Sequence, residues 1–182
     1  MRMLSSALLT ACLFAPVAAR AGLRAEDPVQ REIQAIYNRA SAAVLAAKTY
    51  GDAEAIHRWL DTPDCLYANF GRPPQTWAQM REEVERGLET RMTAFSSVIR
   101  KIDVSATTAT ATTQIESTAR MVDSAGQFGP KGAAHDIVTR ATVRDVWVKS
   151  ADGWRRKSHE KITPNGVASV DGKPPVPAGS KR

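Results

Sequence analysis

The residues of this chain that could carry out chemistry begin with two carboxylates, Asp145 and Glu160, on either side of a predicted turn. When two carboxyl groups share a cavity, burial and mutual repulsion raise the pKa of one of them, and the two form an acid–base pair. A structural role is the competing interpretation, because Arg144 or Arg156 could pair with these acids. The structural role is favoured, since two acids on adjacent strands are common.

The other reactive residue types form no recognised catalytic or metal-binding pattern. His57, His135 and His159 lie on different predicted elements without the spacing of zinc ligands, and His159 is predicted to be exposed. Cys65 has no predicted base beside it, which favours a small buried side chain over a nucleophile. No nucleophile elbow, phosphate-binding glycine loop or dinucleotide fingerprint is present. We therefore predict no metal and no cofactor.

The elements that position these residues are predicted to be three helices followed by long strands. Asp27-Pro28 is typical of a helix start, with a capping aspartate and proline at the first helical position. Runs of β-branched and aromatic residues around Asp152-Gly153 predict an antiparallel hairpin from Ala133 to Thr163. Segregated helices and strands indicate an α+β fold, in which a strongly curved antiparallel sheet folds over the first helix and encloses a pocket. The predicted order is a helix from Pro28 to about Lys48, a short helix capped by Asp52, a strand from Cys65 to Phe70, a helix within 75–91 and four strands from Met92 onward.

The first 21 residues are predicted to be a signal peptide rather than part of the domain. An apolar run ends at Ala19-Arg20-Ala21, a site of the kind that signal peptidase cuts, so the mature chain is expected to begin at Gly22. The run is shorter than the roughly 20 apolar residues of a membrane span. Export to the periplasm or the medium is predicted, with lipoprotein anchoring at Cys12 as the less favoured alternative. Residues 22–27 form a short lead, residues 28–163 the domain and residues 164–182 a flexible tail rich in proline and glycine.

Charge and cysteine content restrict the partners of the mature chain. The whole sequence carries +6, and removal of Arg2 and Arg20 with the signal peptide leaves 6 − 2 = +4. Nucleic-acid binding usually needs a stronger basic surface, with a pI above about 9 on one clustered face, so no nucleic-acid partner is predicted. Cleavage also removes Cys12 and leaves Cys65 alone, which excludes an internal disulfide.

Four short motifs follow one another in the order of the predicted elements. They are Gly51-Asp52-Ala53-Glu54-Ala55, Thr62-Pro63-Asp64, Gly71 with the helix that follows it, and Asp152-Gly153-Trp154-Arg155. In their order and spacing they resemble the SnoaL-like branch of the nuclear-transport-factor-2-like superfamily, over about residues 28–163. The resemblance implies a cone-shaped α+β fold, a central cavity and frequent dimerisation through the outer face of the sheet.

The isomerase branch of that superfamily allows a comparison of catalytic positions. Its catalytic carboxylate falls at Asn69, or at Ala68 in an alternative alignment, and neither residue can abstract a proton as a carboxylate does. The oxyanion-binding tyrosine falls near Val44, which is also unsuitable. The protonated acid that completes the oxyanion hole falls at Asp145. Of the three catalytic positions of that branch, only the one at Asp145 therefore holds a suitable residue in this sequence.

The resemblance also implies which side chains face the cavity. Alternation along a strand places Val143 and Trp147 on the same face as Asp145, and Tyr67 on the same face as Asn69. The return strand is then expected to point Trp154, Arg156, Ser158, Glu160 and Ile162 inward, and Arg155, Lys157, His159 and Lys161 outward. The predicted ligand-binding residues are Tyr67, Asn69, Asp145, Trp147, Ser158 and Glu160.

Three functions remain open from the sequence. The favoured one is an exported domain that binds a small, partly apolar molecule in the cavity. A small isomerase, dehydratase or cyclase that uses Asp145 and Glu160 is the second. A homodimer that associates through the sheet and serves as a structural or interaction module is the third.

Overall fold

The computed structural model describes residues 27–89 and 92–175. The predicted signal peptide, Cys12, nearly all of the short lead and the last seven residues of the predicted tail lie outside the described residues. No helix within 27–89 and 92–175 is long and apolar enough to cross a membrane.

Within the described residues, three α-helices cover the inner face of the sheet. Helix α1 spans Pro28–Ala46, α2 spans Tyr50–Leu60 and α3 spans Arg81–Glu89, preceded by one 3-10 turn at Ala78–Met80. The predicted start of α1 is confirmed, because the Asp27 carboxylate accepts a hydrogen bond from the Val29 amide at 2.8 Å. Helix α2 differs from the prediction in its cap.

Thr49, not Asp52, caps α2. The Asp52 amide donates to Thr49 Oγ1 at 3.2 Å, and the Thr49 amide donates to Asp52 Oδ2 at 2.9 Å. The two residues thus form a reciprocal capping box, with Asp52 in the first turn of the helix. The helix therefore begins at Tyr50, two residues before the predicted cap.

In the part of the chain that the structure describes, the strands form one seven-stranded sheet in the order β2-β1-β6-β5-β4-β3, with β7 paired to β5. Their bounds are Asp61–Ala68, Gln75–Thr76, Met92–Val104, Thr108–Val122, Ala134–Ser150, Gly153–Lys161 and Gly166–Val170 for β1 to β7. The predicted α+β class is confirmed, as is the long hairpin of β5 and β6. The sheet is mixed rather than antiparallel, because β1 runs parallel to β6.

The segment after Asn165 contains a strand rather than the flexible tail that its composition predicts. β7 pairs with the part of β5 that lies beyond the end of β6, with Ile137 opposite Val170. The Asp171 carboxylate that follows β7 accepts hydrogen bonds from the Asp136 amide at 2.9 Å and contacts His135 Nδ1 at 2.7 Å. The tail has few apolar side chains to bury, but its backbone groups find hydrogen-bond partners in β5.

Strand β6 contains a bulge that decides which of its side chains face the helices. Val146 lies opposite Ser158, but the next residue of β5, Trp147, lies opposite Arg156. Lys157 is therefore the extra residue in β6. One extra residue reverses the alternation of side chains beyond it.

The core lies between α1 and the concave face of the sheet. Ile33, Tyr37 and Ala40 form the buried stripe of α1 and pack with Trp147, whose ring meets that of Tyr37 edge-on at 5.2 Å. The Gln34 side chain fixes α1 to β3, because its amide nitrogen donates to the Ser97 carbonyl at 2.7 Å and its oxygen accepts from the Ile99 amide at 3.0 Å. This packing leaves one end of the concave face open.

Candidate functional site

A cavity of about 590 Å³ lies between the three helices and the concave face of the sheet. Most of its wall is apolar. One end is polar and is formed by Tyr37 from α1, His57 from α2, Asp61 from β1, and Arg156 and His159 from β6. The apolar wall includes Val44, Ile56, Leu88, Phe95, Ile115 and Ile137.

Arg156 and Asp61 form a buried ion pair at the polar end. Arg156 Nε donates to Asp61 Oδ1 at 2.7 Å and Nη2 donates to Oδ2 at 3.3 Å. Burial alone raises the pKa of the Asp61 carboxyl, but the charge of Arg156 and hydrogen bonds from His57, Arg156 and Tyr67 outweigh it and bring that pKa to about 2. Asp61 is therefore ionised throughout the neutral range.

His57 is oriented by the same carboxylate. Its Nδ1 lies 2.9 Å from Asp61 Oδ2 and 2.8 Å from the Tyr67 hydroxyl, which itself donates to Asp61 Oδ2 at 2.5 Å. An ionised carboxylate only accepts hydrogen bonds, so Nδ1 of His57 carries a proton. The indole of Trp77 stacks on the imidazole at 4.7 Å with the rings 7° from parallel.

A second carboxylate and histidine lie beside the first pair. Asp145 is fully buried, and His159 Nδ1 lies 2.7 Å from its Oδ1. The Tyr37 hydroxyl donates to the other oxygen of Asp145 and accepts a hydrogen bond from Thr113 Oγ1 at 3.1 Å. Burial raises the pKa of the Asp145 carboxyl, but the charge and hydrogen bond of His159, the charge of Arg156 and the Tyr37 hydroxyl lower it further than burial raises it. Asp145 is thus ionised, whereas the resemblance implied a protonated acid at this position.

Arg156 joins the two carboxylate–histidine pairs. Its Nη1 lies 3.2 Å from His159 Nδ1, while its other guanidinium nitrogens contact Asp61. Burial lowers the pKa of Arg156, but the charges of Asp61 and Asp145 raise it well above its usual value. The buried guanidinium therefore lowers the pKa of both carboxylates, together with His159 in the case of Asp145.

The atoms at the polar end that can contact a bound molecule are the Nε2 nitrogens of His57 and His159. Both side chains line the cavity, and both Nδ1 atoms face carboxylates. Within residues 27–89 and 92–175, neither Nε2 makes a hydrogen bond to the protein. With Nδ1 protonated, a neutral imidazole presents Nε2 as an acceptor, and a charged one presents it as a donor. Each histidine can thus accept or deliver a proton in the cavity.

Three of the predicted ligand-binding residues are placed near this end, in different roles. Asp145 orients His159, and Tyr67 bonds Asp61 from behind the cavity. Trp147 is fully buried in the core beside Tyr37 and is not part of the cavity wall. None of the three lines the cavity directly.

The expected inward positions of Ser158 and Glu160 are wrong. Glu160 lies opposite Arg144 on the convex face and its carboxylate pairs with that guanidinium at 3.1 Å, with both side chains about half exposed. Ser158 lies opposite Val146 and therefore also on the convex face, because it follows the bulge. Asp145 and Glu160 are on opposite faces, so the structure does not bring together the predicted carboxylate pair.

The same bulge brings His159 inward, where the sequence placed it outward. Asp145 lies opposite His159, and residues directly opposite in an antiparallel pair share a face. Asn69 also lies away from the cavity, since its amide donates to Glu83 Oε2 at 2.9 Å in a separate surface groove. His57 was missed as well, although its four-residue spacing from Asp61 was a signal that could have identified the pair.

Cys65 is buried behind Tyr67. Burial, and then the Asp61 carboxylate, raise the pKa of its thiol to about 12. The thiolate that a nucleophile requires is therefore not formed near neutral pH. Among the described residues no group of three or more histidine, cysteine, aspartate or glutamate side chains could hold a metal ion.

Comparison with known proteins shows the fold of this chain. No family model and no curated protein matches its sequence. A conserved protein from Planctomyces limnophilus is 14% identical, with a TM-score of 0.56 over 76% of this chain and 96% of that one. A nuclear transport factor 2-like superfamily protein from Salmonella enterica is 18% identical, with a TM-score of 0.51 over 85% and 97% of the two chains. A candidate scytalone dehydratase from Novosphingobium aromaticivorans is 17% identical, with a TM-score of 0.53 over 84% and 94%.

These similarities define the class of protein by its architecture. The chain has the nuclear-transport-factor-2-like fold, an α+β cone in which helices close one side of a curved sheet. At this level of identity they show the fold alone.

Proposed function

We propose that this chain is a SnoaL-like domain that binds a small, partly apolar molecule in its central cavity, with an oxygen-bearing group at His57 and His159. The observation that carries the proposal is an apolar cavity of about 590 Å³ that ends in two histidines whose Nε2 atoms have no partner in the described part of the protein. Pockets of about 300–1,000 Å³ with apolar walls and a few polar groups are typical of small-molecule sites.

The chemistry of the polar end limits the ligand. Asp61 and Asp145 are already bonded to Arg156, His57, His159 and tyrosine hydroxyls, so they offer little to a ligand. The histidine Nε2 atoms accept from a hydroxyl when neutral and donate to a carbonyl when charged. A ligand with one or two hydroxyl or carbonyl groups on a hydrophobic ring system suits both features.

Titration with 2-naphthol and naphthalene tests this assignment, because the two probes differ by one hydroxyl. We expect 2-naphthol to bind about fivefold more tightly, the effect of roughly 1 kcal/mol from one hydrogen bond. His159→Gln and His57→Gln should reduce that preference. His135→Gln is the matched control, because His135 lies outside the cavity. Fluorescence or calorimetric titration measures the dissociation constants.

A variant of the wall separates pocket binding from adsorption at the surface. Ala119 lines the cavity on β4, so Ala119→Phe should weaken both probes by occupying their space. Native mass spectrometry of the purified protein would show whether a natural ligand remains bound. Equal binding of the two probes to the protein and to all of these variants would contradict the proposal.

Acid–base catalysis on the bound molecule is a second candidate function. It is favoured by the two histidines that face one cavity, each oriented through Nδ1 by its own ionised carboxylate. One neutral imidazole could remove a proton beside a carbonyl while the other, protonated, delivers one elsewhere, as an isomerase or dehydratase requires. This arrangement does not use Glu160.

A ketone probe tests the catalytic candidate without knowledge of the substrate. The α-protons of 2-tetralone exchange with deuterium in D₂O when a base removes them, and proton NMR follows the exchange. The protein should accelerate the exchange, and His57→Gln and His159→Gln should lose the acceleration while still binding the ketone. Exchange no faster than in buffer would leave binding as the only supported function.

Dimerisation through the convex face of the sheet is also proposed. That face carries Val98, Val146 and Val148 among ion pairs such as Arg140–Glu116 and Arg144–Glu160. Light scattering during gel filtration should give twice the monomer mass for the unmodified chain. Val146→Glu places a charge on the convex face, so this variant should give the mass of a monomer. A monomer at micromolar concentration would contradict this proposal.

Export is proposed on the sequence signals alone. Expression of the full chain in a bacterial host, followed by intact-mass measurement, should give a periplasmic protein that begins at Gly22. A mass that includes lipidated Cys12 would support the anchored alternative, and an unprocessed chain in the cytoplasm would contradict both.

A further inference from the structure

A second groove, of about 420 Å³, lies on the other side of α3 from the central cavity. Val84, Gly87 and Leu88 of α3 face the cavity, whereas Glu83 and Arg86 face the groove. Its remaining wall comes from the end of β1 and the end of β6. The groove is lined by Asn69, Phe70, Arg72, Glu83, Arg86 and Lys161, with Pro164 and Asn165 at its edge.

The pairing of β1 with β6 places this groove next to the polar end of the cavity. Tyr67 lies beside His159 and Ala68 beside Glu160, so the next residues are Asn69, directly after β1, and Lys161, the last residue of β6. Lys161 lies two residues beyond His159, or about 7 Å along the strand. Both residues follow the bulge in β6 and are two positions apart, so Lys161 shares the concave face with His159.

The groove has an excess of positive charge. Three cations line it, Arg72, Arg86 and Lys161, against one acid, Glu83. The Glu83 carboxylate is already engaged, because it accepts from Arg72 Nη1 at 2.6 Å and from Asn69 Nδ2 at 2.9 Å.

Within residues 27–89 and 92–175, neither Arg86 nor Lys161 forms an ion pair. Lys161 is also half-buried, and burial lowers the pKa of its ammonium group by more than the charge of the nearby Glu83 carboxylate raises it. A cation that is partly withdrawn from water and forms no ion pair is stabilised further when an anion binds it.

We propose that this groove binds the carboxylate or phosphate group of a small molecule between Lys161 and Arg86. A guanidinium and an ammonium together provide the several N–H donors that an oxyanion accepts. The Phe70 ring, more than half exposed at the groove, gives an apolar surface for the rest of the ligand. The groove is separate from the cavity, so this inference does not depend on the proposed cavity ligand.

The test is a titration of the full chain with inorganic phosphate and with benzoate at constant ionic strength, followed by amide chemical shifts. We expect saturable shifts centred on Asn69, Arg86 and Lys161 for at least one of the two anions. Lys161→Met and Arg86→Gln should each weaken binding about ten- to hundredfold, the effect of one charge-assisted hydrogen bond. Lys161→Arg should retain most of the affinity.

Arg81→Gln is the matched control on the same helix, because Arg81 pairs with Glu85 instead of facing the groove. A preference for benzoate that Phe70→Ala removes would identify an aromatic carboxylate, whereas a preference for phosphate would identify a phosphate ester or free phosphate. Shifts that do not saturate, or that are the same in Lys161→Met and Arg86→Gln as in the unmodified chain, would overturn the proposal. Binding of 2-naphthol to the cavity would be unaffected by either result.

Discussion

Replacement of Arg156 by methionine is expected to lower the free energy of unfolding by about 3–5 kcal/mol, the effect of breaking a buried ion pair by removal of one partner. Arg156 is the guanidinium that contacts Asp61 and lies close enough to Asp145 to lower its pKa. Asp61 and Asp145 are 3% and 0% exposed, so solvent cannot replace the lost positive charge. Urea denaturation at pH 7 measures the change.

Arg144→Met is the matched control for this prediction. Arg144 also pairs with an acid, Glu160, but both side chains are about half exposed. Exposed pairs contribute about 0–1 kcal/mol, so the control should be nearly neutral. Equal losses in Arg156→Met and Arg144→Met would show that the buried carboxylates do not depend on Arg156.

A double variant distinguishes loss of charge balance from loss of packing. Arg156→Met with Asp61→Asn removes one charge of each sign, so it should be more stable than Arg156→Met alone. If the double variant is less stable by the sum of the two single losses, the two residues act independently and the explanation fails. If the double variant is as stable as the unmodified chain, the whole loss of stability in Arg156→Met comes from the unpaired carboxylate.

Much of the fold could be predicted from the sequence because its signals are local. Asp27 and Pro28 specify a helix start by their own chemistry, and Gly153 adopts the positive φ of 108° that the predicted hairpin turn requires. β-branched residues likewise favour the extended strands that follow α3. The parallel pairing of β1 with β6 was missed, because pairing between distant strands depends on the whole sheet.

Which side chains of β6 face the cavity could not be predicted, because a single bulge decides their orientation. Lys157 can lie at a bulge or in a regular strand with its side chain in solvent, so its identity gives no signal. Its insertion moves His159 into the cavity and Glu160 out of it. Alternation predicted correctly up to Arg156 and failed after it, as a one-residue shift must.

The site residues differ in how far the sequence could reveal them. Asp145 was identified through the resemblance to the isomerase branch, although its partner is His159 rather than Glu160. His57 and Asp61 are four residues apart, a spacing that brings side chains together at the end of a helix. Arg156 becomes their partner only through the sheet, 95 residues away from Asp61 in the chain.

The stability of this protein should fall as the pH is lowered from about 4 toward 2, and Asp61 should account for a defined part of the fall. Its carboxyl pKa is about 2 in the folded chain, against an ordinary value of 3.8. Between these values the unfolded chain binds the proton more readily, so acid favours unfolding. The contribution is fully present above the unfolded pKa and is lost as the pH falls through the folded one. It amounts to about 2.5 kcal/mol, since one pH unit of pKa difference is worth about 1.4 kcal/mol.

Other acids also titrate in this range, so the measured quantity is the difference between the unmodified chain and Asp61→Asn. The pKa of Asp145, Asp64 and Asp171 is lowered as well, and these groups contribute in both proteins. The asparagine variant lacks only the proton uptake of residue 61. The stability difference between the two proteins should therefore be largest near neutral pH and shrink by about 2 kcal/mol by pH 2. Parallel pH profiles from urea denaturation would mean that the folded chain does not hold Asp61 in its ionised form, and the ion pair with Arg156 would lose its electrostatic basis.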